Sequence, residues 1–276
     1  MFRPSLERSH VIFGSCIDIE IAPRPLTCED QTGGVVWPVN YVMTKFIEDF
    51  KIPLSGRRVI ELGAGTGILS IAAAVGGAEV TATELPDFIP MLLTNVARNS
   101  KLLAEVQLSG KGSGKVDVVG HRWGEDTDAL GGPFDLVLCC ELLYWGGWSL
   151  LASDTREPLL RSITGLTSAC KRPSPAGRTC EPANTGPIAA GPGGAALGGF
   201  AVRNAARERE FFVAAAAAFA IRYCHLSVGG DAAPAAGGTA GWMCGGSWPA
   251  LREELPQDVE EGDVVIALMQ RRRSEG

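Results

Sequence analysis

A glycine-rich turn of a type that binds ligands follows a short apolar segment of the chain. Arg57–Leu62 predicts a strand, Gly63–Gly67 predicts a turn, and the apolar residues from Ile68 onward predict a helix. Glycines let a ligand approach the backbone without obstruction from a Cβ atom, and the first turn of a helix leaves N–H groups free. Ligands of open α/β sheets bind at the carboxyl ends of the strands. The turn therefore predicts a ligand site.

The spacing of these glycines distinguishes two classes of ligand. Dinucleotide-binding turns read GxGxxG and hold a pyrophosphate at the helix N-terminus. Here the pattern is GxGxG, and Ile68 stands where the dinucleotide pattern has its third glycine. A dinucleotide-dependent oxidoreductase also requires a hydride-transfer site, and the sequence indicates none. The spacing disfavours that class of enzyme.

Glu84 is a candidate for a second contact with the same ligand. It follows the next predicted strand, Glu79–Thr83, and lies seventeen residues after Gly67. An acidic residue at this place accepts hydrogen bonds from ribose hydroxyls in nucleotide-binding sheets. The alternative is a surface acid at a strand end. The glycine turn upstream favours the ribose-binding role.

The elements around these residues alternate between strand and helix patterns, which indicates a parallel α/β sheet. An amphipathic helix is predicted at 38–50, where apolar residues recur at helical spacing. Further helices are predicted at 68–75, 87–99, around 159–166 and at 205–220. Further strands are predicted at 115–119, 134–140, 200–202, 221–227 and 263–270. Residues 11–21 predict a half-buried strand or a short hairpin.

Two segments differ in composition from the rest of the chain. Residues 171–199 are rich in Pro, Gly and Ala and have almost no bulky apolar side chains, so they bury too little surface to become ordered. We predict a disordered, low-complexity insertion there and a loose loop at 229–250. Residues 10–170 and 200–270 are then the folded parts of a single domain that spans 1–276.

Charge and cysteine content exclude several classes of function. The net charge is −6, whereas sequence-independent nucleic-acid binding requires a basic face, so no nucleic-acid partner is expected. The longest apolar stretches have about eleven residues and a membrane span needs about 20, so no membrane association is expected. Eight cysteines without a CxxC pair predict reduced thiols and no metal site. A cytoplasmic or nuclear protein without a secretory signal is expected, and its oligomeric state stays open.

A set of motifs occurs in a definite order along the chain: Val36-Trp37-Pro38, ELGAGTG at 61–67, Glu84, Asn95 with Asn99, Trp123, and Phe134–Val137 leading to Glu141–Tyr144. In this order the chain resembles methyltransferase family 16, a family of lysine methyltransferases, over residues 10–170 and more weakly near 200–210 and the last strand. The resemblance implies a Rossmann-like class I methyltransferase fold. That fold is a seven-stranded, mostly parallel sheet with helices on both faces, here with an N-terminal hairpin. The implied cofactor is S-adenosylmethionine, and the implied acceptor is a lysine side chain of a protein substrate.

The resemblance also implies roles for individual residues. The cofactor-binding set is Trp37, Glu61, Gly63, Ala64, Gly65, Gly67, Glu84, Trp123 and Cys140. Within this set, Glu84 is expected to bind the ribose, Trp123 to flank the adenine and Cys140 to form the edge of the site. The catalytic set is Glu141 and Tyr144, which match the family's DxxY signature with Glu in place of Asp. Glu141 is expected to position the incoming amine, and Tyr144 to line its channel.

Two other functions are compatible with the same residues. One is a methyltransferase of the same fold that acts on a small molecule. The other is a cofactor-binding module that has lost transfer activity, and the Glu at position 141 keeps this alternative open. Identifying the methyl acceptor would discriminate between these functions, because fold alone does not determine function.

Overall fold

Apolar side chains cover both faces of the central strands, which places these strands in the middle of a sheet. The computed structural model describes residues 6–21, 32–143, 154–168, 194–227, 248–255 and 257–272. The strands are β1 (Leu6–Ile12), β2 (Ser15–Ile21), β3 (Arg58–Leu62), β4 (Glu79–Glu84), β5 (Lys115–Gly120), β6 (Leu136–Cys140), β7 (Ala195–Ala201), β8 (Phe219–Leu226) and β9 (Val264–Arg271). The helices are α1 (Pro38–Asp49), α2 (Ile68–Val75), α3 (Ile89–Arg98), α4 (Ser100–Leu108), α5 (Arg156–Leu166) and α6 (Ala205–Ala216).

Strands β3 to β9 form one sheet in the order β5-β4-β3-β6-β7-β9-β8. The first four pairings in this order are parallel, whereas β9 is antiparallel to both β7 and β8. The strand order reverses at β3, so the carboxyl ends of β3 and β6 flank a crevice of the kind in which such sheets bind ligands. The prediction of a Rossmann-like class I methyltransferase fold with a mostly parallel seven-stranded sheet is confirmed.

Helices cover both faces of this sheet. The β1–β2 hairpin, α1 and α2 contribute to one buried apolar layer, and α5 and α6 contribute to the other. Strand β6 shows why both layers are apolar: Leu136 and Leu138 belong to the first, and Val137 and Cys139 to the second. Side chains alternate between the two faces along a strand, so a central strand must be apolar throughout.

Asn95 of α3 and Asn99, which lies between α3 and α4, hold the hairpin in place through strand β2. Asn95 Oδ1 accepts a hydrogen bond from the Glu20 N–H at 2.7 Å, and its Nδ2 donates to the Glu20 carbonyl at 3.0 Å. Asn99 makes the same pair of bonds to Asp18, at 3.0 and 2.8 Å. Each amide satisfies the backbone of β2 as a neighbouring strand would. Asn95 Nδ2 also donates to the Thr66 carbonyl at 2.9 Å, which ties the hairpin to the glycine turn.

Strand β7 begins earlier than the sequence predicts. Residues 195–199 were assigned to the disordered insertion, and the structure places them in the sheet between β6 and β9. The predicted boundary was wrong because the small residues were interpreted as a sign of disorder. They instead leave room for α1, which lies directly over the strand at Gly199. The rest of the insertion, up to residue 193, and most of the loop at 229–250 lie outside the described residues.

We expect Gly199→Ala to destabilise the protein by about 1–3 kcal/mol because of overpacking. A Cβ atom at Gly199 would lie 2.5 Å from the Met43 Sδ and 3.1 Å from a Val39 methyl, both on α1. Gly198→Ala is the matched control, since a Cβ there meets nothing closer than 3.9 Å. Urea unfolding should show lower stability for the first variant and unchanged or slightly higher stability for the second. Equal effects would contradict this packing account.

Three further differences from the predicted elements are small. Helix α4 was not predicted, and it continues the helical path directly after α3. Helix α6 ends at Ala216 rather than near residue 220, because Phe219 and Ile221 pair with β9. Residues Pro86–Phe88 form a 3-10 turn, so α3 begins at Ile89 rather than at residue 87. Within the described ranges, no helix combines the length and apolar character needed to cross a bilayer.

Candidate active site

The turn after β3 requires glycine for two separate reasons. Gly63 and Gly65 have φ angles of 59° and 54°, a region that other residues rarely adopt. A Cβ atom at Gly63 would lie 2.8 Å from a Leu142 methyl, and one at Gly65 would lie 3.0 Å from the Gly33 carbonyl oxygen. The turn is therefore closely covered by the chain segments that precede α1 and follow β6.

Glu84 links the ends of β3 and β4. Its Oε2 accepts a hydrogen bond from the Gly65 N–H at 2.7 Å, and its Oε1 accepts one from the Leu85 N–H at 2.8 Å. Burial raises the pKa of Glu84, and these two bonds act against the rise. A carboxylate offers about four acceptor positions, so each oxygen retains one for a further donor. The group is arranged to accept two more hydrogen bonds from a ligand.

A cavity of about 330 Å³ lies beside the turn, within the size range of small-molecule sites. Seven of its lining residues were predicted from the sequence: Trp37, Gly63, Ala64, Gly65, Glu84, Trp123 and Cys140. The others were not predicted: Gly33, Val35, Asn40, Thr66, Leu85, Phe88, His121, Arg122, Leu142, Thr155 and Pro158. Among the described residues, three of the predicted set do not line it: Glu61, Gly67 and Glu141.

His121 is the one histidine of this lining, and its place is set by the strand ends. Its backbone N–H donates to the Glu84 carbonyl at 3.0 Å, and its Nε2 lies 3.5 Å from the Ser162 Oγ. Ser162 Oγ also accepts the Gly124 N–H at 2.8 Å. Burial lowers the pKa of His121, which favours the neutral ring. Its position directly after β5 was the sequence signal that could have identified it.

Glu61 lies beneath the turn rather than in the cavity. Its side chain is 1% exposed, and its Oε2 accepts a short hydrogen bond from Ser70 Oγ in the first turn of α2. The Glu61 carbonyl accepts the Thr83 hydroxyl at 2.8 Å. Burial raises the pKa of Glu61 from 4.5 to about 8, with a smaller contribution from the charge of Glu84. At neutral pH this carboxyl is therefore mostly protonated.

We expect Glu61→Gln to remove a pH dependence of stability. Between pH 4.5 and about 8 the folded protein retains a proton on Glu61 that the unfolded chain releases, so the free energy of unfolding falls as pH rises. The stability of Glu61→Gln relative to the wild type should therefore increase between pH 5 and pH 8, by roughly 2–4 kcal/mol. Urea unfolding at several pH values measures this difference. Glu79→Gln, at the exposed start of β4, is the matched control and should show no such change in relative stability with pH. A stability difference for Glu61→Gln that does not change with pH would contradict a protonated Glu61 in the folded protein.

Glu141 has a different environment from the one predicted for it. It is 2% exposed, its Oε1 accepts the Ala201 N–H at 2.9 Å, and its Oε2 forms an ion pair with Arg203 Nη2. The Arg203 guanidinium lies 5.9 Å from the centre of the Trp37 ring, which lines the cavity. Both carboxylate oxygens of Glu141 therefore have protein partners. Glu141 is connected to the cavity through Arg203, which contacts Trp37. Tyr144, the other predicted catalytic residue, lies outside the described residues.

The residues of the cavity fit a nucleoside with an attached chain. Glu84 offers two acceptor positions for a ribose diol, and Trp123 with Leu85 offers apolar surface beside it. The turn offers backbone with little steric obstruction at Gly63 and Gly65. No basic side chain is needed for such a ligand, because it carries no phosphate. S-adenosylmethionine has this chemistry.

A comparison with known families supports this interpretation. The model of the lysine methyltransferase family matches residues 25–172, slightly more than half of the chain. The chain belongs to the lysine methyltransferase family. The matched region contains the glycine turn, Glu84, Trp123 and Glu141, whereas Arg203 lies beyond it.

Individual members of the lysine methyltransferase family align with part of the chain. Protein N-lysine methyltransferase METTL21A of Danio rerio is 36% identical over 136 residues, which cover 49% of this chain and 55% of that protein. EEF1A lysine methyltransferase 3 of Mus musculus is 34% identical over 109 residues, or 40% of this chain and 43% of that protein. The chain therefore spans about half the length of the relatives it matches.

Some solved structures of methyltransferases show a more distant likeness to the chain. Precorrin-6y C5,15-methyltransferase of Geobacter metallireducens superposes with a TM-score of 0.45 and 11% identity, over 84% of this chain and 88% of that chain. Magnesium protoporphyrin IX methyltransferase of Synechocystis, solved with bound SAM, gives a TM-score of 0.42 and 15% identity, over 84% and 77% of the two chains.

Proposed function

We propose that this protein transfers a methyl group from S-adenosylmethionine to the side-chain amine of a lysine in a protein substrate. The observation that carries the proposal is a cavity that joins the glycine turn after β3, the buried Glu84 carboxylate at the end of β4 and Cys140 at the end of β6. This cavity occurs in a member of the lysine methyltransferase family. Two relatives are named for methylation of protein lysine, which supports that class of acceptor.

Each part of the cavity has a binding task in this proposal. Glu84 accepts hydrogen bonds from the ribose hydroxyls while its bonds to Gly65 and Leu85 hold the carboxylate in place. The backbone of Gly63 and Gly65 holds the methionine part, and Trp123 covers the adenine. Trp37 and Leu142 form apolar walls that exclude water from the reacting groups.

When bound, S-adenosylmethionine supplies the methyl group: the amine nitrogen bonds to the methyl carbon while the carbon–sulfur bond breaks and the sulfur keeps the electron pair. The task of the protein is then to present a neutral amine, because an ammonium has no lone pair. The pKa of a free lysine is about 10.4, and an apolar environment lowers it. Arg203 compensates the charge of Glu141, so that this carboxylate does not stabilise the ammonium form. The proton leaves to solvent.

Transfer of labelled methyl groups tests this proposal. Purified protein, tritiated S-adenosylmethionine and a cell lysate are incubated, and the protein and small-molecule fractions are counted separately. We expect label in a discrete protein band, and we expect Glu84→Ala, which lacks the ribose-binding carboxylate, to leave that band unlabelled. Label confined to small molecules would contradict a protein acceptor. Cofactor binding without any transfer would contradict an enzyme and support a binding module.

A further inference from the structure

Asn40 is a polar residue of the cavity to which the proposed function gives no task. It lies in the first turn of α1, three residues after Trp37, and is 7% exposed. Its Nδ2 donates to the Trp37 carbonyl at 3.3 Å. Its Oδ1 accepts no hydrogen bond from the described part of the chain.

This oxygen is accessible from the cavity rather than enclosed by protein. Among the described residues, Arg271 Nη1 is the one fully buried side-chain polar atom without a partner. Asn40 Oδ1 also lacks a hydrogen-bond partner, so its absence from this class of atoms means that it is not fully buried. It keeps some accessible surface, and Asn40 is one of the residues that line the cavity. An acceptor that keeps accessible surface inside a cavity is available to a donor group of a bound ligand. The side chain is thus suited to bind an N–H or O–H group.

The sheet order determines which part of the ligand Asn40 faces. Glu84, at the end of β4, is the proposed ribose contact, and His121 with Trp123, after β5, line the side proposed for the adenine. The other half of the cofactor must then extend toward β3 and β6. Helix α1 packs on β6 and β7, so it carries Asn40 to the end of the cavity that these strands form, and Cys140 at the end of β6 lines the same cavity. The reacting methyl group and the incoming nitrogen belong to this end.

We propose that the Asn40 carboxamide oxygen accepts a hydrogen bond from the nitrogen that receives the methyl group, an inference that rests on the proposed function. A neutral amide orients an amine while favouring its protonated form less than a free carboxylate would. Glu141 does not bind the amine in this proposal, because both of its carboxylate oxygens are already held by Arg203 and the Ala201 backbone. Asn40 is thereby an acceptor-binding residue.

A pair of cofactor analogues tests the inference without a known substrate. In sinefungin a carbon atom replaces the sulfur and an amine replaces the transferable methyl group, whereas S-adenosylhomocysteine has no group at the methyl position. We expect Asn40→Ala to weaken sinefungin binding about tenfold and S-adenosylhomocysteine binding less than about twofold, measured by calorimetry. Thr44→Val is the matched control, since Thr44 is a buried, hydrogen-bonded residue one turn along α1 that does not line the cavity. It should change neither affinity.

An isosteric variant provides a second test that does not depend on how Asn40→Ala folds. Asn40→Asp should bind sinefungin at least as tightly as the wild type, because a carboxylate attracts the ammonium of the analogue. Equal weakening of both analogues by Asn40→Ala would overturn the inference and assign Asn40 to the methionine part of the cofactor. Unchanged sinefungin binding in Asn40→Ala, or weaker binding in Asn40→Asp, would also overturn it. Failure of the wild type to bind either analogue would instead refute the proposed function.

Discussion

Glu84→Ala is expected to weaken the binding of S-adenosylhomocysteine at least a hundredfold. Two ribose hydroxyls would lose a charged acceptor, and hydrogen bonds to charged groups contribute about 1.5–3 kcal/mol each. The variant also leaves the N–H groups of Gly65 and Leu85 without their carboxylate, so the turn loses its link to β4. Calorimetry with purified protein measures the affinity.

Two matched variants separate this effect from general disruption. Glu79→Ala removes a carboxylate from the exposed start of the same strand and should leave the affinity unchanged. Glu84→Gln keeps one acceptor oxygen without charge and should give an intermediate loss. If Glu84→Ala is folded and binds the ligand as tightly as the wild type, the ribose-binding role of Glu84 is wrong.

Arg203→Met is expected to lower the free energy of unfolding by about 2–3 kcal/mol at pH 8. Removing one partner of a buried ion pair costs about 3–5 kcal/mol, and the lower figure reflects the one-third exposure of Arg203. The loss arises because the Glu141 carboxylate, 2% exposed, is left with the Ala201 N–H as its remaining partner. Urea unfolding measures it.

The pH dependence and a double variant identify the cause of this loss. Burial raises the pKa of Glu141 and Arg203 lowers it, so removal of Arg203 raises it further. The loss should therefore shrink as pH falls, because the Glu141 carboxyl takes up a proton more readily in the variant than in the wild type. Glu141→Gln combined with Arg203→Met should recover at least half of the stability. A loss independent of pH, with no recovery, would contradict a buried uncompensated charge. Lys115→Met, which breaks an exposed pair with Asp117, should cost less than about 0.5 kcal/mol.

The parts of the site that sequence reasoning located are those encoded by local patterns. The glycine turn and Glu84 each follow a recognisable strand, and the carboxyl ends of parallel strands meet at one edge of the sheet. Their convergence on one cavity was therefore predictable. The alternating elements likewise predicted the parallel sheet. These features could be predicted without knowledge of the tertiary contacts.

The parts that sequence reasoning missed depend on contacts between distant segments. Arg203 follows β7 and reaches Glu141 sixty-two residues earlier, and nothing in its local sequence indicates that partner. Asn40 lies among apolar residues of α1, and its relation to the cavity depends on how α1 packs on the sheet. Residues 195–199 look like a low-complexity segment until α1 is placed above Gly199.

The identity of the methylated residue tests the central claim most directly. A cell lysate is incubated with the protein and methyl-labelled S-adenosylmethionine, the labelled protein band is hydrolysed, and its amino acids are separated by mass. We predict methyl-lysine in the sample treated with wild-type protein and none with Glu84→Ala. Label in methyl-arginine or methyl-histidine would contradict transfer to lysine, as would volatile label released as methanol on hydrolysis, which indicates a carboxyl methyl ester.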